Sequence, residues 1–305
     1  MVIGSLIIDL LGPILEFIAP FIPGEVFPLY FTKVYYQRPL IAAIVVSIVA
    51  GFLGAFLLIR NLALIGDGLA HVTFGGIAIG LVVGWVDPLW WALGLSIVAA
   101  ILIDFLSYRK WITGDTAIAI FLTGMLGLGI VVTRIWGGGS LASVEGYLWG
   151  SLNLIDEESY NFIVAVCFFA YILLIILYRS ILAISIDSIA ARVQGLPVPL
   201  ISLLWSILIA LVVVSMVQIV GVLLVTALLV TPAAIAQLVS RSFLTCVILS
   251  QIFGVITVLL GLYYSTELGT GSGSMIALVS AVLFVIVAIS KALIKVFFLP
   301  KENTN

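Results

Sequence analysis

The chain has 305 residues, of which 64% are hydrophobic and 9% charged, with a net charge of −2 at pH 7. This composition excludes an ordinary soluble domain, and the singly scattered charges offer no basic surface to a nucleic acid. A bilayer core about 30 Å thick requires roughly 20 apolar residues per helix. The long, continuous apolar runs therefore predict an all-α polytopic membrane protein and exclude the alternating strands of a membrane barrel.

The N-terminal segment, residues 1–36, is apolar but contains several prolines. It lacks the basic start and the small-residue cleavage site of a secretory signal peptide, and its first charged residues are Asp9 and Glu16. We therefore expect this segment to be retained as a helix that lies in the membrane interface or enters the bilayer part-way.

A membrane domain is expected over residues 37–297, followed by a cytoplasmic tail at 298–305. It contains nine clear spans, and Arg179 is expected to end the fifth. Gly76, Gly80 and Gly84 recur at every fourth residue, which predicts a ridge for close helix packing. The expected spans are about 39–59, 62–86, 89–106, 116–132, 160–177, two within 198–238, 245–264 and 275–294, with a candidate short helix at Leu141–Leu148 between the fourth and the fifth.

The basic residues set the expected orientation, because cytoplasmic loops are enriched in lysine and arginine. With the carboxyl terminus inside, nine of the twelve basic residues fall on the cytoplasmic side. Only Lys33, Arg38 and Arg134 fall outside, together with most of the loop carboxylates. This orientation predicts that the polar stretch between residues 185 and 199 lies in the cytoplasm.

The second span carries the feature around which the chain is organised, an aspartate and the only histidine of the protein. Asp67 and His71 are four residues apart, so a helix places both on one face with Cβ atoms about 5–6 Å apart. A carboxylate and an imidazole form a usable ligand pair for a divalent transition metal. Because ionisable residues inside a membrane are costly, the pair is interpreted first as a functional site.

Two structural interpretations of this pair compete with the metal site. His71 could form only a hydrogen bond to a neighbouring helix, and Asp67 could pair with Arg60 near the membrane surface. The occurrence of both residues one turn apart, beside several glycines, favours the functional interpretation.

A short capped helix is predicted in the cytoplasmic stretch between the fifth and sixth spans. Asp187 can accept hydrogen bonds from free backbone N–H groups at a helix start, and Gly195 with Pro197 can stop the helix. A mere surface connector is the alternative. The candidate segment comprises Asp187, Ser188, Ile189, Ala190, Ala191, Arg192, Val193, Gln194 and Gly195.

The chain offers little as an enzyme, because it has no phosphate-binding loop of the Gly-x-x-x-x-Gly-Lys-Ser/Thr type and no second histidine. Cys167 and Cys246 lie within apolar runs and are expected to be buried packing residues. One pair of Asp67 and His71 gives too few ligands for tight binding. Two copies across a two-fold axis would supply two nitrogens and two oxygens, a set that suits zinc, manganese or ferrous iron.

Three stretches carry a resemblance to a known family. Residues 60–76 read RNLALIGDGLAHVTFGG, which closely resembles the signature of membrane permeases of zinc, manganese and iron ABC importers. Residues 221–241 read GVLLVTALLVTPAAIAQLVSR and look like the second signature of that family. Residues 186–195 read IDSIAARVQG and are similar to its cytoplasmic coupling segment. Along the chain the three matches lie in the order expected for the family, and they cover roughly residues 37–297.

The resemblance implies a homodimeric multi-pass permease of a prokaryotic plasma membrane, with the fold of the cobalamin-type (type II) importers. It implies two separate ATP-hydrolysing subunits below the permease and an extracytoplasmic metal-binding protein above it. It assigns contact with transported zinc, manganese or iron to Asp67 and His71. It makes Ser188–Gln194 the helix that docks on the ATPase, with Arg192 as a contact.

Two other functions are consistent with the residues. One is a membrane scaffold or assembly protein in which His71 is structural. The other keeps the fold but imports a metal chelate, such as a siderophore or cobalamin, and would be favoured by a wide central cavity without acid or imidazole lining.

Overall fold

The fold is helical throughout the described part of the chain. A computed structural model describes residues 2–85, 87–136, 146–150 and 155–298. The helices are α1 Val2–Ile18, α2 Leu29–Thr32, α3 Val34–Ile59, α4 Ile65–Val83, α5 Pro88–Tyr108, α6 Gly114–Trp136, α7 Glu157–Ile186, α8 Ser188–Val193, α9 Val198–Val220, α10 Val225–Val239, α11 Phe243–Leu268 and α12 Ser272–Phe298. Short 3₁₀ helices occupy Ala19–Phe21 and Val222–Leu224.

Ten helical segments in these ranges are long and apolar enough to cross a bilayer. Nine of them match the predicted spans, which confirms the all-α polytopic fold, and the tenth is the N-terminal Gly4–Phe21. Of the candidate short helix at Leu141–Leu148, residues 146–148 are helical, in a stretch that continues to residue 149, and the earlier part lies outside the described residues. The expected cytoplasmic tail at 298–305 also lies outside the described residues, apart from residue 298.

Two expectations about helix ends are wrong. Helix α7 does not end at Arg179 but continues to Ile186, because arginine is a good helix former and its long side chain can reach toward water. Gly84 does not join the packing ridge, since it ends α4 in the left-handed conformation at φ +68° and faces open space. Gly76 and Gly80 do form the ridge, close to the backbone of Ala92 and Pro88 on α5.

Successive long helices run antiparallel, so the charged residues gather at two ends of the bundle. The basic end carries Arg60, Arg109, Lys110, Arg179, Arg192 and Arg241, and the acidic end carries Asp87, Asp156, Glu157, Glu158 and Glu267. Carboxylates also cap helices at the acidic end: Oδ1 of Asp87 accepts from the Leu89 amide at 2.7 Å, and Oδ1 of Asp156 from the Ser159 amide at 2.8 Å.

The N-terminal segment makes its polar and close contacts at the acidic end. Tyr160 Oη donates to the carbonyl oxygen of Gly4 at 3.2 Å, and Gly12 lies beside the side chain of Gln37. Further along, the carboxylate of Glu267 accepts three backbone hydrogen bonds, from Glu25 at 3.1 Å, Val26 at 2.9 Å and Phe27 at 2.8 Å. The residues that contact the N-terminal segment are Gln37 in the first turn of α3, Tyr160 in the first turn of α7 and Glu267 in the last turn of α11.

The core is apolar and includes the two cysteines, which are buried and free as expected. At its basic end it contains an aromatic cluster around Phe56 of α3. The Phe56 ring lies 4.8 Å from that of Phe243 and 5.7 Å from those of Trp205 and Tyr178, all three in edge-to-face contact. This cluster joins α3, α7, α9 and α11 beneath the predicted cytoplasmic segment.

Candidate metal site and coupling segment

Helix α4 begins at Ile65 after a tight turn and places Asp67 in its first turn. A carboxylate is favourable there because the free backbone N–H groups give a helix start a partial positive charge. The helix ends at Val83, with Gly84 capping it. Asp67 therefore lies near the basic end, and His71 lies one turn deeper.

The structure brings the two predicted donors together. Nε2 of His71 lies 4.0 Å from Oδ1 of Asp67, and their side chains are 7% and 30% exposed. Within the described residues no group of three or more histidine, cysteine or acidic side chains could hold a metal ion. One copy of the chain therefore presents two donors with an opening on the carboxylate side.

The glycines on either side of Asp67 decide where this face points. Gly66 lies against Leu229 of α10, and Gly68 lies against Ile118 of α6. A Cβ added at either glycine would come within 2.6 Å of these side chains. Because successive helical residues are rotated by about 100°, Asp67 lies on the face of α4 between the sides that contact α6 and α10.

Neither competing structural interpretation describes the observed contacts. Arg60 does not pair with Asp67, because its Nε donates to Oγ of Ser185 at 2.8 Å and its guanidinium lies over the ring of Trp205. Nδ1 of His71 is buried without a hydrogen-bond partner, so the imidazole is not satisfied by a neighbouring helix. Within the described part of one chain, both donors retain capacity for a ligand.

The predicted capped segment is present at the basic end. Oδ1 of Asp187 accepts hydrogen bonds from the amides of Ile189 at 2.8 Å and Ala190 at 3.0 Å, and α8 follows as Ser188–Val193. Gly195 adopts φ +85°, which ends the helix as expected.

Helix α8 presents an unpartnered apolar edge. Ile189 and Val193 are 76% and 84% exposed, and Ile186, just before the helix, is 74% exposed. Nη2 of Arg192 donates to Oη of Tyr108 at the end of α5, at 2.7 Å. The segment is thus held to the bundle by the Arg192–Tyr108 hydrogen bond and by the buried Ala191, and leaves its large apolar side chains free.

Comparison with known proteins decides the family. The ABC 3 transport family matches residues 33–291. The chain belongs to the ABC 3 transport family. It is therefore a permease subunit of an ABC importer, and a multi-pass protein of the plasma membrane. The resemblance drawn from residues 60–76 and 221–241 is confirmed, and α1 and α2 precede the matched region.

The permease is similar to proteins named for manganese. It is 32% identical to the manganese transport system membrane protein MntC of Halalkalibacterium halodurans, over 88% of this chain and 89% of that protein. It is 31% identical to the manganese import system permease protein ScaB of Streptococcus parasanguinis, over 89% of this chain and 93% of that protein.

Two solved structures share the fold. The PsaBC complex of Streptococcus pneumoniae, determined with a Fab, has a chain that superposes with a TM-score of 0.76 at 31% identity, covering 86% of the permease and 95% of that chain. An inward-facing ABC transporter superposes with a TM-score of 0.68 at 19% identity, covering 93% and 97% of the two chains. The latter likeness concerns the fold alone.

Sequence reasoning missed the polar contacts around Arg60 and Glu267. For Arg60 the sequence predicts only the alternative pairing with Asp67, and Glu267 counts only among the loop carboxylates. The partners of Arg60, Ser185 and Trp205, are distant in sequence and carry no local signal. A lone arginine at the start of the first signature and a lone glutamate beside a glycine-rich loop are the only hints.

Proposed function

We propose that the permease imports a divalent transition metal ion, manganese in the first instance, through a passage formed by two copies of the chain. The observation that carries this function is the pair of Asp67 and His71 on one face of α4, with Nε2 4.0 Å from Oδ1. Its two donors are of the nitrogen and oxygen types that manganese, zinc and ferrous iron accept.

A second copy would complete the ligand set. One chain offers one carboxylate and one imidazole within reach of a shared ion, which is too few for stable coordination. Two chains related by a two-fold axis would offer two of each. The 30% exposure of the Asp67 side chain leaves the carboxylate accessible to a partner face.

Manganese is preferred because the relatives MntC and ScaB are named for manganese transport and import. The donor atoms by themselves fit zinc and iron as well. A transport site has to release its ion, so a site assembled between two subunits suits alternating access better than a rigid cage.

Transport would be driven from the basic end, which the excess of lysine and arginine places in the cytoplasm. ATP would be hydrolysed by two separate subunits, since this sequence has no phosphate-binding loop. We assign the docking contact to residues 187–195. The exposed side chains of Ile189 and Val193 are apolar anchors of the kind that fill a pocket on a partner.

The acidic end would then face outward and receive the ion from an extracytoplasmic metal-binding protein.

We also propose that α1 lies along this outer surface as an interfacial helix and does not span the bilayer. Gly4 and Gly12 contact the first turns of α7 and α3, which lie at the same level. Depth-dependent quenching of a probe at Leu10 tests this placement, because an interfacial helix keeps that position shallow.

The test of the function is metal uptake into liposomes that contain the permease with its ATPase subunits and binding protein. Wild type should accumulate radioactive manganese when ATP is present, and His71→Ala should lower uptake by at least about 10-fold because half of the donors are lost. Asp115→Asn, which changes an exposed carboxylate in the first turn of α6, is the matched control.

Three outcomes would contradict the assignment. Unchanged uptake in a well-folded His71→Ala protein would remove the metal role of the imidazole. Uptake of a metal chelate but not of the free ion would favour the chelate importer. No uptake of manganese by wild type would contradict manganese as the transported ion.

A further inference from the structure

Arg60 joins two parts of the permease that the proposed function treats separately. It follows the last residue of α3 and precedes the turn that leads into α4. Its Nε donates to Oγ of Ser185 at 2.8 Å. Ser185 belongs to the last turn of α7, two residues before Asp187, which caps α8. One hydrogen bond thus connects the turn that precedes the metal-bearing helix with the last turn of the helix that precedes the candidate docking helix.

The side chain of Arg60 is held among groups of several helices. Its guanidinium lies 5.0 Å from the centre of the Trp205 ring on α9, a cation–π contact. Burial lowers the pKa of Arg60 to about 10, against an opposing effect of the Asp104 carboxylate. The group therefore remains protonated at neutral pH, and its Nη2 is buried without a hydrogen-bond partner.

This partial burial needs a reason, because withdrawing a charge from water with one donor unpaired is costly. An arginine that served only to end a membrane span could extend to water at the bilayer surface. Arg60 instead donates to the hydroxyl of Ser185, which itself donates to the carbonyl oxygen of Ile181 at 2.6 Å. The contact is directional and ties Arg60 to the backbone of α7.

The turn after Arg60 is held by backbone hydrogen bonds. The Leu62 amide donates to the carbonyl oxygen of Leu57 at 2.9 Å, and the Ile65 amide donates to that of Leu62 at 3.1 Å. Asn61 adopts φ +55°, a left-handed conformation, at the reversal of the chain. Asp67 follows in the first turn of α4, so this bonded turn is the direct connection from Arg60 to the carboxylate.

We infer that Arg60 is a positioning residue that couples movement of the docking helix α8 to the metal-bearing face of α4, through its hydrogen bond to Ser185. The inference rests on the proposed function, since it requires an ATPase that moves α8 and an ion that binds at Asp67. Arg60 does not touch the ion. Arg60 sets whether the energy of ATP hydrolysis reaches α4, the helix that contacts the ion.

The experiment measures both manganese uptake and ATP hydrolysis in liposomes that hold the full transporter. Ser185→Ala removes the hydroxyl that accepts from Arg60. Ser290→Ala is the matched control, because Ser290 of α12 donates to the carbonyl oxygen of Ile286 at 2.7 Å, the same back-bond, and lies far from Arg60. Ser185→Thr retains the hydroxyl and serves as the conservative variant.

We expect Ser185→Ala to hydrolyse ATP at the wild-type rate and to import about 10-fold less manganese per ATP, as expected when a hydrogen bond to a charged group is lost. Ser290→Ala should keep the wild-type ratio, and Ser185→Thr should restore it. Equal ratios in Ser185→Ala and Ser290→Ala would overturn the inference while leaving the proposed function intact.

Two further outcomes would also overturn the inference. If Ser185→Ala lowers uptake and hydrolysis in equal proportion, the residue affects assembly and not coupling, which overturns the inference. If wild type hydrolyses ATP but takes up no metal, the proposed function fails, and the inference fails with it.

Discussion

The hydroxyl of Tyr108 accepts a hydrogen bond from Nη2 of Arg192 at 2.7 Å, which fixes the guanidinium of the candidate docking helix α8 against the end of α5. Arg192 is exposed, so it can contact an ATPase while it holds this position. The bond connects α8 to the helix whose other end packs on α4 through Ala92 and Gly76. In the proposed function, Arg192 would contribute a charge to the partner surface, and the structure shows it linked to the bundle through Tyr108.

Replacing Arg192 by alanine should reduce the amount of ATPase that copurifies with the permease. The loss follows from the removal of a charged contact and of the link to Tyr108. Arg179→Ala, which removes an exposed positive charge of α7 near the same end, is the control and should copurify normally. Tyr108→Phe should fall between the two, because it frees Arg192 without removing the charge. Equal recovery of ATPase in all variants would exclude residues 187–195 as the docking segment.

The metal stoichiometry tests whether two copies share one site. We expect purified wild type to bind one manganese ion for every two chains, since each chain supplies one carboxylate and one imidazole. Asp67→Asn should lower the affinity by at least about 10-fold, because an amide is a weaker ligand than a carboxylate. Elemental analysis combined with light scattering measures the ratio. One tightly bound ion per monomer would contradict the shared site.

Glu267→Ala should loosen the loop before α2. The substitution leaves the amides of Glu25, Val26 and Phe27 without their acceptor. We expect faster proteolytic cleavage in this loop, followed by mass spectrometry of the fragments, with manganese binding unchanged. Glu158→Ala removes an exposed acid at the same end and is the control. A cleavage rate equal to that of Glu158→Ala would show that the carboxylate does not hold the loop.

Gly54→Ala should destabilise the bundle. Gly54 lies so close to α10 that an added Cβ would meet the carbonyl oxygen of Leu229 at 2.0 Å. Overpacking of this kind costs about 1–3 kcal/mol. Gly94→Ala is the matched control, because Gly94 sits within α5 with nothing within 4 Å of an added Cβ. Thermal unfolding in detergent should show a lower midpoint for Gly54→Ala and no decrease for Gly94→Ala.

The local parts of the candidate site could be predicted from the sequence. The i,i+4 spacing of Asp67 and His71 puts them on one helical face whatever else the chain does. The cap at Asp187 and the stop at Gly195 likewise depend on neighbouring backbone groups. The prediction that α7 ends at Arg179 is wrong, because a charged residue whose side chain can reach water does not stop a helix.

The amino-acid sequence by itself determined the membrane class, the nine spans and the pairing of a carboxylate with an imidazole, since these follow from composition, periodicity and local spacing; the family follows from the resemblance of residues 60–76 and 221–241. Only the tertiary structure decided that Asp67 lies on the face of α4 between the sides that contact α6 and α10, and that Arg60 meets Ser185 across 125 residues of chain. Contacts between helices depend on which faces pack together. That choice is made by the close fit of glycines such as Gly54 and Gly68 against their neighbours, which no short stretch of the chain specifies.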